Sequence, residues 1–231
     1  MSVFIIAEAG VNHNGDIDTA LALIDAAAKA GADAVKFQTF KAGDVISVHA
    51  EKANYQKHTT NVDESQLDMV RKLELSYSTH HQLAAHCRDR GIAFLSTPFD
   101  LGSLDFLVTE MKLGILKISS GEITNAPLLL AAARSGCKVI MSTGMSTIDE
   151  VQDALGVLAF GYGPDSDTNP GTEAFAQAFK TSKRLPGKVA LLHCTTEYPS
   201  PYEDANLRAM DTLREAFGLK VGLSDHTPGI A

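Results

Sequence analysis

The chain has 231 residues, 45% of them hydrophobic and 21% charged, which is enough for one well-filled core. A formal charge of −8 at pH 7 provides no bulk basic face for nucleic acid. No apolar stretch approaches the roughly 18–20 residues that span a bilayer, and the N-terminus lacks the basic start and cleavage site of a signal peptide, so the chain reads as cytoplasmic, with neither nucleic-acid nor membrane partners.

The first expected strand, residues 3–7, is an apolar run that ends on Glu8 and leads into Asn12, His13, Asn14 and Gly15. A carboxylate at the end of a buried strand costs energy unless something uses it. A helix over residues 19–30 begins near Asp16 or Asp18 and is closed by Gly31, and residues 34–38 form the next strand. Residues 45–75 are long and polar, with a short helix from Gln66, and fit either a surface excursion or a rim over the site. Thr79 and Gln82 have the spacing of a capping box for a helix over residues 79–90, ended by Gly91. A strand at 93–96, a helix through 104–111 and a strand at 115–119 follow. Asn125 and Pro127 then start a helix over 126–134. A strand at 139–142 leads to a second capping box, Thr147 with Glu150. Residues 161–186, rich in Gly, Pro, Asp, Thr and Ser at their start, read as a surface excursion. The last elements are a strand at 189–194, a helix at 206–217 and a strand at 221–224. Cys87, Cys137 and Cys194 are odd in number, widely spaced and without a CxxC, which reads as reduced core thiols.

Short, nearly all-apolar strands alternating with helices call for a parallel sheet buried on both faces. Seven βα-type strands without a GxGxxG fingerprint favour an α/β fold of the (β/α)8 TIM-barrel type, truncated after strand seven because no residues are left for an eighth. In such a barrel the C-terminal strand ends share one mouth. Those ends carry Glu8, Lys36 with Gln38, Ser96 with Thr97, Lys117 with Ser119 and Ser120, Ser142 with Thr143, His193 with Thr195 and Thr196, and Ser224 with Asp225 and His226. Two lysines among hydroxyls suit a phosphorylated anion. The plain alternative for either lysine is a snorkelling surface residue, which its place within an apolar strand argues against. His13, between two Asn, reads as structural rather than as a ligand. His226 is either a hydrogen-bonded loop residue or a metal ligand whose ring Asp225 orients. Glu122, at a strand-to-helix turn, is placed to orient a lysine or the substrate.

The runs at residues 6–15 (IAEAGVNHNG), 35–39 (VKFQT), 96–99 (STPF), 117–122 (KISSGE), 142–145 (STGM), 192–199 (LHCTTEYP) and 222–227 (GLSDHT) cover the chain in order. They resemble the N-acetylneuraminate (sialic acid) synthase family, which includes legionaminic and pseudaminic acid synthases. The resemblance implies a synthase barrel domain over residues 1–231 that condenses phosphoenolpyruvate with N-acetylmannosamine or a related 2-acetamido hexose. The products would be a nine-carbon nonulosonate and phosphate, with C–O cleavage. It also implies a divalent cation, Mn2+ or Mg2+, and a homodimer in the full-length form. Carried over by position, Lys36, Thr97, Lys117, Ser120, Ser142 and Ser224 would hold phosphoenolpyruvate. Glu8, Gln38, Asn61 and Tyr198 would address the sugar, with Glu122 and Thr196 nearby, and His226 would bind the metal. Glu8, Lys36 and Lys117 would carry the chemistry. Some members have Asn where Thr196 stands. The family's strand-eight histidine, which is its second metal ligand, and its C-terminal antifreeze-like domain have no counterpart here. Two other readings fit lysines at strand ends: a Schiff-base class I aldolase on Lys117 or Lys36, and a non-catalytic phosphoenolpyruvate-binding fragment. The Thr-Thr-Glu-Tyr-Pro run looks more like sialic or legionaminic acid synthases.

Overall fold

The computed structural model of the chain describes residues 3–50, 65–164 and 169–229. Its strands are parallel throughout, as their apolar character requires, and fall into two compact units, Met1–Lys112 and Leu113–Ala231.

The first unit orders its strands β1 (Ile6–Gly10), β2 (Ala34–Thr39) and β3 (Ala93–Pro98). β1 begins three residues later than its apolar run suggests. Val3 and Phe4 are 80% and 54% exposed, and the strand starts where Asp33 anchors it. The Ile5 amide donates to Asp33 Oδ2 (2.7 Å), and Ile5 O accepts from the amides of Asp33 and Ala34. Glu8 is therefore inside the strand rather than beyond its end, opposite Lys36 in the ladder. Hydrophobicity sets the strand's existence, but the partner strand sets its phase.

Helix α1 (Ile17–Lys29) is capped by Asp16, which accepts from the Thr19 amide. It packs Ala20, Ile24 and Ala27 into a core with Val35, Phe37, Leu83 and Cys87, while Phe37 stacks on Phe94 at 5.7 Å. After the short helices α2 (Ala42–Val45) and α3 (Gln66–Arg71), helix α4 spans Tyr77–Arg90. Its cap is Ser76, whose hydroxyl accepts from the Thr79 amide, so the cap stands three residues before the expected Thr79. Helix α5 (Leu101–Asp105) runs on through a π-turn, Phe106–Glu110, which corrects the later start expected at residue 104.

Behind β2 and β3, His80 is 1% exposed and fully engaged. A carbonyl can only accept, so His80 Nδ1 donates to Ser76 O (2.9 Å), and Nε2 accepts from the Thr39 hydroxyl (2.9 Å), which is 2.6 Å from the Ser96 hydroxyl. Burial depresses the pKa of both His80 and His13 below the usual imidazole value. Below about pH 6.5 the unfolded chain therefore binds protons that the folded unit refuses, and stability present above that pH is lost as pH falls. The urea midpoint is expected to drop between about pH 7.5 and pH 5.5. A midpoint independent of pH over that window would show that these histidines are not held neutral.

The second unit orders β4 (Ile115–Ile118), β5 (Lys138–Ser142), β6 (Val189–His193) and β7 (Lys220–Leu223). Helix α6 (Ala126–Arg134) is capped by Asn125, and α7 (Ile148–Gly161) carries the full Thr147–Glu150 capping box that the sequence predicts. The excursion at 161–186 contains a helix, α8 (Thr172–Thr181), where a loop is expected. Its signal was the stripe Ala174, Phe175, Ala178 and Phe179, masked by the Gly/Pro-rich start of the segment. Phe175 meets Phe160 of α7 edge-on at 5.3 Å, and Phe179 meets Phe217 at the end of α9 (Ala209–Phe217) at 6.3 Å. Among the described residues, no helix is long and apolar enough to cross a membrane.

Candidate active site

In the first unit, alternation along β2 places Val35 and Phe37 in the helix-side core and turns Lys36 and Gln38 to the other face. Ladder register adds Glu8 opposite Lys36, and Thr97 opposite Gln38. Lys36 is largely buried and forms an ion pair with Glu8, whose carboxylate is about half exposed. Gly10 lies beside both polar side chains: a Cβ built there would be 3.1 Å from Glu8 Oε1 and 3.8 Å from Gln38 Nε2. Thr97 is buried. One sheet face thus holds a cation, a carboxylate, an amide and a hydroxyl in adjacent ladder positions. A lysine ammonium has three donors, so pairing with Glu8 leaves Lys36 capacity for a second anionic oxygen.

His13 belongs to the support of this face. Its Nδ1 accepts from the Gly15 amide (2.9 Å) and its ring, 1% exposed, lies 6.2 Å from that of Phe37. Asn61 lies outside the described residues.

In the second unit, Lys117 alternates with Leu116 and Ile118 and is only 6% exposed. Its ammonium donates to Ser142 Oγ (2.7 Å) at the end of β5 and to Ile118 O (2.9 Å). Just beyond β4, Ser120 Oγ accepts from the Gly144 amide (2.9 Å) and lies 3.2 Å from Cys194 Sγ. A Cβ on residue 144 would stand 2.9 Å from both Cys194 Sγ and Thr196 Cγ2, and 3.0 Å from Ser120 Oγ. The missing Cβ at Gly144 therefore lets the loops after β4, β5 and β6 approach this closely. Gly144 and Cys194 extend the expected site, and the glycine of the 142–145 run was the signal for it.

Glu122 accepts from Asn125 Nδ2 (2.7 Å), which ties it to the cap of α6. Thr196 and Tyr198 are exposed, and the Tyr198 ring lies 4.2 Å from that of His226. The Ser224 amide donates to His193 O (2.8 Å), which extends β7 by one rung. His193 itself donates through Nε2 to Ala205 O (2.8 Å).

His226 Nδ1 is 3.1 Å from Thr195 O and must donate to it, which leaves Nε2 as the ring's lone-pair nitrogen, 3.3 Å from Ser224 Oγ. A neutral ring so oriented presents Nε2, one of the two nitrogens through which histidine ligates metals. Of the two readings of His226, the hydrogen-bonded loop residue matches its ring contacts, and Asp225 does not orient the ring. It accepts from the amide (3.0 Å) and hydroxyl (2.8 Å) of Thr227, and these hold its carboxyl below the usual carboxylate range. A peptide carbonyl does the orienting. Among the described residues no three His, Cys, Asp or Glu side chains gather as a metal cage.

The NeuB family model matches residues 23–231. An N,N'-diacetyllegionaminic acid synthase of Campylobacter jejuni is 51% identical over 226 residues, covering 98% of this chain and 61% of the relative. The protein of the same name from Legionella pneumophila is 45% identical, covering 100% of this chain and 59% of the relative. The chain thus spans about 60% of the length of these curated relatives. The crystal structure of an N-acetylneuraminic acid (sialic acid) synthetase from Leptospira borgpetersenii, in complex with citrate, superposes with a TM-score of 0.77 at 33% identity. It covers all of this chain and 67% of that one.

Proposed function

The chain belongs to the NeuB family, and from that premise we propose that it carries the phosphoenolpyruvate-handling barrel of a nonulosonate synthase. The fold that goes with this reading is the (β/α)8 barrel expected from the sequence. The reaction joins C3 of phosphoenolpyruvate to the aldehyde carbon of a 2-acetamido hexose. Water adds at C2, and phosphate leaves with the bridging oxygen by C–O cleavage.

The observation that carries the reading is the buried Lys117–Ser142 pair beside the Ser120–Gly144 contact. Lys117 supplies a buried cation fixed by its hydrogen bonds to Ser142 Oγ and Ile118 O, and Ser142 and Ser120 are hydroxyls held in place at the ends of neighbouring strands. In this assignment Lys117, Ser120, Ser142 and Ser224 bind phosphoenolpyruvate, and the sequence resemblance assigns Lys36 and Thr97 of the first unit to the same substrate. Glu8 and Gln38 orient the acceptor sugar's hydroxyls, and Glu8 is the candidate for proton transfer. Tyr198 and Thr196, both exposed, offer further sugar contacts, whereas Glu122 acts through Asn125 as a positioning residue. His226 Nε2 would provide one ligand to Mn2+ or Mg2+, which when bound would supply Lewis-acid polarisation of the aldehyde oxygen. Positioning and electrostatics from the chain's own side chains account for the rest.

A Schiff-base aldolase is disfavoured. The relatives at 51% and 45% identity bear synthase names rather than aldolase names. The names of the relatives at 51% and 45% identity favour a 2,4-diacetamido-6-deoxy hexose over N-acetylmannosamine as acceptor. The test uses phosphoenolpyruvate labelled with 18O in the C–O–P bridge, offered with Mn2+ and either sugar. The label should emerge in inorganic phosphate, faster with the diacetamido sugar. Label retained in the sugar acid, or a borohydride-trapped adduct on Lys117 or Lys36, would overturn the assignment.

A further inference from the structure

The end of the second unit remote from Ser142 carries a groove that the proposed reaction does not use. At the N-terminal ends of β5 and β6, a cavity of about 390 Å3 is lined by Arg134, Arg184 and Lys188 together with Tyr162. It shares Gly163 and Arg184 with a second cavity of about 520 Å3, whose floor is Ala159, Phe160, Ala174 and Ala178 and whose rim includes Lys183. The two form one bipartite groove with a cationic half and an apolar half.

Four cations on one groove stand out in a chain of net charge −8. Among the described residues none of the four takes part in an ion pair. Arg134, in the last turn of α6, has an ordinary role in compensating the helix dipole. Lys183, Arg184 and Lys188 come from the segment leading into β6 and have no such account. Lys188 is fixed: its ammonium donates to Gly136 O (2.6 Å) and lies 5.6 Å from the centre of the Tyr162 ring. Tyr162 is fixed in turn through its hydroxyl, which donates to Cys137 O (2.6 Å). A hydrogen-bonded ammonium lining one cavity with two arginines suits a phosphate chain, since guanidinium forks match phosphate oxygens two at a time. The adjoining apolar floor would take an organic body, and the combined volume is that of an ordinary small-molecule site.

We propose that this groove binds a polyphosphate anion carrying an apolar body, the chemistry of a nucleotide, at a site separate from the one that handles phosphoenolpyruvate. Four residues of β5 lie between the groove end of the strand and Ser142, about 13 Å along the strand.

The test is calorimetric titration of the whole chain with three probes: ADP, inorganic pyrophosphate and phosphoenolpyruvate. ADP should bind saturably, about tenfold more tightly than pyrophosphate, because only ADP reaches the apolar floor. The double substitution Arg134→Gln with Arg184→Gln, both at exposed positions, should weaken ADP by about tenfold or more. It should leave phosphoenolpyruvate within about twofold, which keeps this result independent of the active-site assignment. Equal affinity for ADP and pyrophosphate would remove the apolar half of the proposal. No saturable binding of ADP up to millimolar concentration, ADP binding indifferent to the double substitution, or ADP displaced by phosphoenolpyruvate would overturn it altogether.

Discussion

Lys117→Met should weaken phosphoenolpyruvate binding by about a hundredfold or more while leaving the fold intact. Truncating one partner of a buried, hydrogen-bonded charge contact costs roughly 2–5 kcal/mol, and each 1.4 kcal/mol is about a decade in affinity. Stability should move the other way, or barely at all. The wild-type chain holds an ammonium at 6% exposure, and an apolar side chain of similar length removes that desolvation penalty. Ser142 loses one donor but keeps a hydroxyl that can reorient. Titration of phosphoenolpyruvate alongside urea unfolding separates the two effects. Affinity within about threefold of wild type would remove Lys117 from the anion site.

The second large effect concerns the Asn-His-Asn-Gly loop. Gly15 has φ +79°, and a Cβ there would lie 2.3 Å from the backbone oxygen of Lys72, an atom that cannot swing aside. Gly15→Ala should therefore combine a left-handed backbone penalty of about 1–2 kcal/mol with an overpacking penalty of about 1–3 kcal/mol. Gly31 supplies the control in the same unit, since its φ is +81° and nothing stands within 4 Å of a Cβ. Gly31→Ala should show the backbone penalty alone. Urea midpoints of the two variants give the difference directly. Equal losses would mean that the loop yields freely against Lys72, and that His13 is not rigidly held.

Much of this architecture was readable before any coordinates. Short β-rich runs between amphipathic segments marked seven strands, and every one is present and parallel. Side-chain alternation also marked residues of the candidate site. Lys36 and Gln38 interrupt an apolar strand at period two, and Lys117 does the same in β4, where a buried cation has no packing rationale. What was not legible has physical reasons. The phase of β1 depends on Asp33 and the partner strand, which a run of Val, Phe and Ile cannot reveal. Helix α8 hid behind a start rich in breakers. The orienting group for His226 is a main-chain carbonyl, which no side-chain motif announces, so the sequence left Asp225 open as an alternative. Gly144 and Cys194 act through shape, by allowing three loops to converge, and shape is the property least visible in a string of residue types. Tertiary approach of this kind is decided by packing rather than by local preference.

The Glu8–Lys36 pair has a consequence for how an anion arrives at the first unit. A bare lysine at a site attracts any negative ion from a distance, chloride and sulfate included. Here the cation already has a tethered counter-ion on the neighbouring strand, so much of its long-range pull is cancelled before an anion arrives. An entering group must engage the ammonium donors that Glu8 leaves open, and weakly coordinating anions gain little there. The arrangement gives up long-range attraction and gains discrimination at contact.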